Sequence, residues 1–351
     1  MSQDNSVGVA VVGAGYWGPN LVRNFLNCAD TDLRWIIDLD VAKAEKLVGS
    51  RSDVRVSADL GDALADDEVE AVAIATPPKS HLPLAMQAID AGRHVLIEKP
   101  LATTVEDGLK IVAEASARDL VVMTDHTFCF TPTVAALREL VRSGQLGDIY
   151  YVDSIRANLG LVQSDVDVFW DLAPHDLSII DFVLPPEVHP VAVSAHGADP
   201  IGAAQRCVGY LTMPLSNGAI AHVNVNWLSP GKIRQTVFAG SKQMAVWDDM
   251  KPFQRLAIVD RGVELEQAAE SDKTQLFVNY RMGDMLYPAL QENVEALGGV
   301  VTEFAASIRE GRAPLTDGGA GVRILQILEA ATVSLKANGA LVPLELEGLD
   351  S

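Results

Sequence analysis

Cysteine is scarce. Cys28, Cys129 and Cys207 lie far apart and outside any CxxC or Cys/His spacing. That excludes a disulfide framework and a zinc ribbon, and it fits buried, reduced thiols in a protein of cytoplasmic location. Positive charge is also short: 27 Lys and Arg face 47 Asp and Glu, a net charge of −20. Such an excess repels phosphate backbones, so nucleic acid is excluded as a partner and the charge reads as a solubilising surface. No apolar run approaches the roughly 18 residues that a membrane-spanning helix needs. The first residues, MSQDNSVG, are polar and lead straight into a strand, so neither a secretory leader nor a membrane partner is expected. Internal repeats and low-complexity stretches are missing too. What remains is 48% hydrophobic and 21% charged over 351 residues, an ordinary soluble composition long enough for two cores.

The first part of the chain alternates strands and helices. Val7–Val12, Leu33–Asp38, Val54–Val56, Ala71–Ala75, His94–Ile97 and Val121–Thr124 read as strands. Helices are expected at Gly18–Cys28, Val41–Val48, after Asp59, at Ser80–Ala91 and at Thr104–Arg118, the last capped by Thr104. This alternation predicts a doubly wound parallel sheet, the Rossmann arrangement, over residues 1–128. Beyond a helix at Pro132–Ser143 the pattern changes. Strands at Ile149–Arg156, Val191–Ala198, Cys207–Met213, Gly218–Asn226, Gln235–Ala239, Met244–Asp248 and Leu256–Val259 follow one another, with Asn217-Gly218 as a hairpin turn. Residues 129–351 therefore read as an α+β domain with a largely antiparallel, open-faced sheet. Helices near Pro288–Glu310 and Gly319–Asn338 close it, and the last is free to pack back on the first domain. An uncovered sheet face needs a partner, so a homodimer or homotetramer through this sheet is expected.

Gly13-Ala14-Gly15-Tyr16-Trp17-Gly18 fits G-x-G-x-x-G between the first strand and the first helix. Its glycines permit a tight turn, close approach of a pyrophosphate and helix–strand contact, and the helix N-terminus offers free N–H groups. Asp38 ends the second strand, where a carboxylate accepts hydrogen bonds from ribose hydroxyls and repels a 2′-phosphate; this favours NAD over NADP. Thr76-Pro77-Pro78 and His81 follow the fourth strand at the carboxyl edge, where ligands of such sheets bind; His81 is either a cofactor-side contact or a helix cap. Glu98-Lys99-Pro100 lies at the same edge. Lys99 suits stabilisation of a reacting oxygen, and a cis Lys99–Pro100 bond would aim it inward; alone, the tripeptide reads as an ordinary solvated lysine capping a strand. Asp171 and His175 share one face of a helical turn. An imidazole titrates near neutrality and exchanges protons with a hydroxyl, while the carboxylate orients it or binds substrate. Alone, the pair also suits a structural contact or half a metal site, for which no third ligand is obvious.

Taken in this order, GAGYWG, the acidic strand end, ATPPKSH, EKP and DLAPHD resemble the Gfo/Idh/MocA oxidoreductases over nearly the whole chain. The resemblance implies Lys99 and His175 as the catalytic pair, Asp171 completing the site, and reversible oxidation of a sugar or cyclitol hydroxyl by NAD(P). It also implies cofactor contacts from Gly13, Gly15, Tyr16, Trp17, Gly18, Asp38, Thr76, Pro77, His81, Glu98 and Lys99. GYWGPNLVRNF, DHTFCFTP, FWDLAPHDLSI and WLSPGKIRQTVFAGSK look like members tied to nucleotide sugars, polysaccharides and antibiotic sugars. Those relatives more often carry glycine at the place of Asp125 and asparagine at that of Thr131. Candidate substrate contacts are Arg156, Asn158, Trp170, Asn226, Trp227, Lys232, Arg234 and Tyr287, with Lys232 and Arg234 suited to a diphosphate. The expected function is an NAD-dependent sugar dehydrogenase or ketosugar reductase acting at a secondary hydroxyl, C3 by family analogy, of a nucleotide-linked or otherwise modified sugar. An inositol dehydrogenase is the alternative enzyme. A non-catalytic sugar- or NAD-sensing protein is the alternative of another class.

Overall fold

Val7–Val12 is apolar along its length because helices cover both faces of the sheet it centres, and all six residues are buried. The computed structural model describes residues 6–49, 51, 53–160, 162–163, 166–267, 276–290 and 295–345. Two compact units emerge. The first runs to Thr131 and takes back a later stretch ending at Glu329; the second begins at Pro132 and resumes at Ala330.

In chain order the first unit contains β1 (Val7–Val12), α1 (Gly18–Asn27), β2 (Thr31–Ile37), α2 (Val41–Val48), β3 (Arg55–Ser57), α3 (Leu60–Leu64), β4 (Ala71–Ile74), α4 (His81–Asp90), β5 (His94–Glu98), α5 (Val105–Ser116) and β6 (Val122–Asp125). The parallel sheet has the order β3-β2-β1-β4-β5-β6. Between β1 and β4 the winding reverses, and the carboxyl ends of these strands form the edge where a dinucleotide fits. Thr104 caps α5 by accepting from the Asp107 N–H at 3.1 Å, as its sequence position predicts.

The second unit contains α6 (Pro132–Arg142), β7 (Ile149–Leu159), α7 (Val168–Val183), β8 (Ala192–Ala198), β9 (Val208–Pro214), β10 (Ile220–Asn226), β11 (Leu228–Gly240), β12 (Met244–Asp248), β13 (Leu256–Gln267) and β14 (Leu276–Leu286). Then come α8 (Ala296–Glu310), α9 (Gly318–Lys336) and β15 (Val342–Pro343). The sheet order is β14-β13-β12-β11-β7-β10-β9-β8-β15. After β7 the chain crosses by α7 to β8 and meanders back, so β10 meets β7 in parallel while the other strand pairs run antiparallel. Alternation along β10 buries Ala221, Val223 and Val225. Ile220, with its register partner Tyr151, stays exposed on the opposite face, and Tyr210 of β9 lies on that face as well.

Three expectations change. β11 begins at Leu228, because the SPGK stretch forms an irregularity within the strand instead of a loop before it. β13 runs on to Gln267 and pairs with β14, an edge ribbon whose charges hide its period. Helix α8 starts at Ala296 rather than Pro288, and residues 291–294 fall outside the described set. α8 belongs to the first unit, where Val300, Val301, Phe304 and Ala305 pack with Val7, Val9 and Phe25. Cys129 and Cys207 are buried, but Cys28 is only half-buried. No described helix is long and apolar enough to cross a membrane.

Candidate active site

The glycine loop is shaped by close backbone approaches. Gly13 has φ +105°, a left-handed value, and an added Cβ would stand 2.8 Å from the Ala75 carbonyl oxygen. At Gly18 an added Cβ would collide with the Gly13 carbonyl. Gly15 differs: a Cβ there meets no atom within 4 Å, so its missing side chain leaves open space that the loop itself does not use. No side chain caps α1 and its first turn holds no acidic residue; Pro19 has no N–H and the Asn20 N–H donates to the Trp17 carbonyl at 2.9 Å, so the Gly18 N–H leads the uncapped helix start towards an anion. Tyr16 is 96% exposed. Trp17 is half-buried and donates its indole N–H to Asp125 Oδ2 at 3.4 Å.

Asp38 follows β2 and accepts from the Ala14 N–H at 2.6 Å and the Asp40 N–H at 2.8 Å. Its carboxylate is thus aimed at the glycine loop, and each oxygen keeps a second lone pair for a ribose hydroxyl. These features fit an NAD dinucleotide: open space at Gly15, an uncapped helix start at Gly18, and a fixed acid beyond them.

At the neighbouring strand ends, Thr76 Oγ1 accepts from Ser80 Oγ at 2.8 Å, and Pro77 is exposed. His81 is fully buried, with Nδ1 2.9 Å from the Pro100 carbonyl and Nε2 2.8 Å from the Thr76 carbonyl. Burial holds its pKa below the ordinary range, and the neutral ring has one N–H, so it donates to one of these carbonyls while its other nitrogen only stands close to the second; enclosed between two loops, it gives up the expected cofactor-side contact. The Lys99–Pro100 bond is cis and Lys99 is half-buried, directly after Glu98 at the end of β5. Beside them lie two residues with no role in the sequence reading, Asp125 and His126 at the end of β6, both buried. The DHTFCF segment gave a signal only as a departure from relatives.

In the second unit α7 starts at Val168, capped by Asp167, which accepts from the N–H groups of Phe169 and Trp170 at 3.1 and 3.3 Å. Asp171 falls in its first turn and His175 one turn on, both half-buried on one face. Trp227 donates its indole N–H to Asp171 Oδ2 at 3.0 Å, which fixes the carboxylate. Trp227 is 1% exposed, which leaves no ring face for the expected stacking on a sugar.

Other expected substrate contacts are committed elsewhere. Arg156 is 3% exposed and paired with Asp176, 2% exposed, at 2.6 Å from Nε to Oδ2. Alternation along β7 turns Val152, Ser154 and Arg156 inward beneath α7, which removes Arg156 from any ligand. Arg234 pairs with Asp249 at 3.3 Å, leaving Lys232, exposed on the irregular stretch of β11, as the candidate cation for a phosphate. Asn226 Oδ1 accepts from the Leu228 N–H at 2.7 Å, and Trp170 donates to Thr332 Oγ1 at 3.3 Å. Asn158 is half-buried beside Gly160, and Tyr287 is 41% exposed with its hydroxyl 2.8 Å from Met285 Sδ. Among the described residues no group of three or more His, Cys, Asp or Glu could hold a metal ion.

Comparison with known proteins agrees with this geometry. Residues 7–126 match a family model described as an oxidoreductase family with an NAD-binding Rossmann fold, and residues 134–246 match that of a GFO/IDH/MocA C-terminal domain. An uncharacterised oxidoreductase of Synechocystis is 34% identical over 149 residues, 42% of this chain and 40% of that protein. An inositol 2-dehydrogenase of Rhodococcus erythropolis is 29% identical over 209 residues, 58% of this chain and 60% of that protein. These matches thus span less than two thirds of either relative. Solved structures extend further. The UDP-N-acetylglucosamine 3-dehydrogenase GnnA of Acidithiobacillus ferrooxidans has TM-score 0.79 at 24% identity, covering 95% of this chain and 98% of its own. GenD2 from gentamicin A biosynthesis, in complex with NAD, has TM-score 0.79 at 25% identity, covering 98% of both chains.

Proposed function

The chain belongs to the Gfo/Idh/MocA oxidoreductase family, and from that premise we propose that it oxidises a secondary hydroxyl of a nucleotide-linked or otherwise modified sugar. It is an NAD-dependent oxidoreductase; the sugar, and C3 as the carbon attacked, are this proposal's finer content. The observation that carries it is the set Lys99, Asp171 and His175: one cation at the carboxyl edge of the parallel sheet, and one acid–imidazole pair on a single helix face.

Bound NAD supplies the hydride acceptor. His175 takes the hydroxyl proton as the C–H bond weakens, and Lys99 stabilises the oxygen as it gains negative charge. Asp171, fixed by the Trp227 indole, orients the imidazole or holds a neighbouring hydroxyl. In the reductive direction His175 returns the proton, giving a ketosugar reductase. The first unit holds the cofactor and the second meets the substrate. The face of the second sheet that carries Tyr151, Tyr210 and Ile220 closes against a second copy. A monomer in light scattering at micromolar concentration argues against that closure.

Support for a nucleotide sugar comes from the likeness to GnnA and GenD2, and from Lys232 as an exposed cation for phosphate. The Rhodococcus relative favours a second reading, a cyclitol dehydrogenase. Turnover of UDP-sugars and not of inositol, followed by NADH absorbance, decides for the first; the reverse pattern decides for the second. A sensing protein on the same fold would need no proton-transfer pair. Lys99→Ala and His175→Ala should each cut kcat by roughly 100-fold or more while NAD binding persists. Normal turnover in both variants would refute the assignment of the pair.

A further inference from the structure

Two acids stand side by side at the carboxyl edge of the parallel sheet. Glu98 and Asp125 are register partners on β5 and β6, so their side chains leave the sheet on the same face. Asp125 is 1% exposed, and the Glu98 Oε2 atom is buried with no hydrogen-bond partner among the described residues. Register pairing on adjacent parallel strands sets the two carboxyl groups against each other in a buried place. Two neighbouring carboxylates out of water repel, so both cannot ionise together and one proton stays with the pair.

The remaining contacts decide which acid carries it. Asp125 accepts from Thr127 Oγ1 at 2.7 Å and from the Trp17 indole at 3.4 Å. Glu98 has the Lys99 backbone N–H as its one weak donor, and its Oε2 has none. Donors stabilise the ionised form, so the charge rests on Asp125 and the proton on Glu98. We propose that Glu98 and Asp125 form a one-proton acid pair in which Asp125 is a positioning residue, tying Trp17 of the glycine loop to Glu98 and presenting Glu98 as a neutral acid beside Lys99. Burial, then the charge of Asp125, pushes Glu98 well above the usual carboxyl range. Burial raises Asp125 too, against the bonds from Thr127, Glu98 and Trp17.

The charged groups around the pair are few. Lys99 acts on both acids from the end of β5, and it also acts on His126, which in turn feels Arg323 of α9. Trp17 and Thr127, the other neighbours, carry no charge at neutral pH. With one proton in the pair, the Lys99 ammonium faces one negative charge instead of two. Deprotonation of Glu98 would place a second charge against the dinucleotide loop.

The pair's proton does not depend on the sugar reaction; its kinetic consequence rests on that reading. Infrared difference spectra of the full chain at pH 7, parent minus Glu98→Gln, should show the carbonyl band of a protonated carboxylic acid. Asp125→Asn should lose that band, because a neutral amide removes the negative charge that holds the proton on Glu98; its one oxygen keeps the stronger bond from Thr127 and gives up the long one from Trp17, which donates to the other oxygen of Asp125. The parent kcat/KM profile should carry an alkaline ionisation that Asp125→Asn lacks. No protonated-acid band in the parent, or a band that survives in Asp125→Asn, overturns the pair. Should Asp125→Asn not fold, the parent spectrum and its loss in Glu98→Gln decide alone. A band that behaves as expected in a chain that turns over no sugar keeps the pair and rejects the sugar assignment.

Discussion

Replacing Arg156 by methionine should unfold the second unit's sheet–helix junction without touching substrate affinity. Arg156 donates from Nε to Asp176 Oδ2 at 2.6 Å and from Nη2 to Oδ1 at 3.3 Å. Ser154 Oγ adds one bond to Oδ1 at 2.8 Å and also contacts Thr236 Oγ1 at 3.0 Å, so the network joins β7, β11 and α7. In Arg156→Met, a carboxylate that is 2% exposed loses its counter-charge and keeps the serine donor. Removing one partner of such a buried pair costs about 3–5 kcal/mol. With a urea slope of about 2 kcal/mol per molar, the midpoint falls by roughly 1.5–2.5 M. Circular dichroism and tryptophan fluorescence should follow it together if the unit unfolds in one step. Changing both residues, Arg156→Met with Asp176→Leu, should recover most of the loss, since an apolar pair of similar volume needs no desolvation. A single variant of unchanged midpoint and weakened sugar binding would refute this account and return Arg156 to the substrate.

Gly15→Val should leave thermal stability near that of the parent and abolish NAD binding in calorimetry, because its side chain enters space no protein atom uses. Gly13→Ala should instead lower the melting temperature, since a Cβ 2.8 Å from the Ala75 carbonyl forces the turn apart. Equal effects on both readouts in the two variants would contradict the division of roles. Acid should weaken the first unit through His126, whose pKa is lowered to about 3, by burial first and then by Lys99 and Arg323. The unfolded imidazole titrates near ~6.5, so the stability linked to this depressed group is whole above that pH and drains as pH falls towards the folded value. By pH 5 the loss is about 2 kcal/mol. A His126→Leu variant should show a flatter fall of urea midpoint between pH 7 and 5, and an unchanged slope would exclude His126 as the cause.

Where the apolar pattern is continuous or keeps its period, the chain announces its elements. β1 and α2 begin and end where their apolar patterns do, and so does β12 in the second sheet. Beyond Val259 the ribbon of β13 and β14 stayed hidden because Asp260, Arg261 and Glu264 interrupt any alternation, and the antiparallel register between the two strands defines it. The catalytic candidates were legible because lysine, aspartate and histidine stood in ordered motifs. Arg156 misled because a charge near a strand end reads as ligand-facing; its partner Asp176 lies on α7, and only the fold brings the two together. Asp125 was visible as a departure, but its meaning depended on the register with Glu98, which no local pattern encodes.

The return of α8 to the first unit has a consequence for how the protein is made. Leu297, Val300, Val301, Phe304 and Ala305 share a core with strands near the N-terminus. A ribosome finishing residue 131 has therefore released a dinucleotide domain that still lacks one wall. That apolar gap must wait while the whole intervening sheet is synthesised, a window in which chaperones would be needed and proteases would find it. A fragment cut at Thr131 should aggregate for the same reason, and a bioengineer wanting the cofactor domain alone must graft α8 back on.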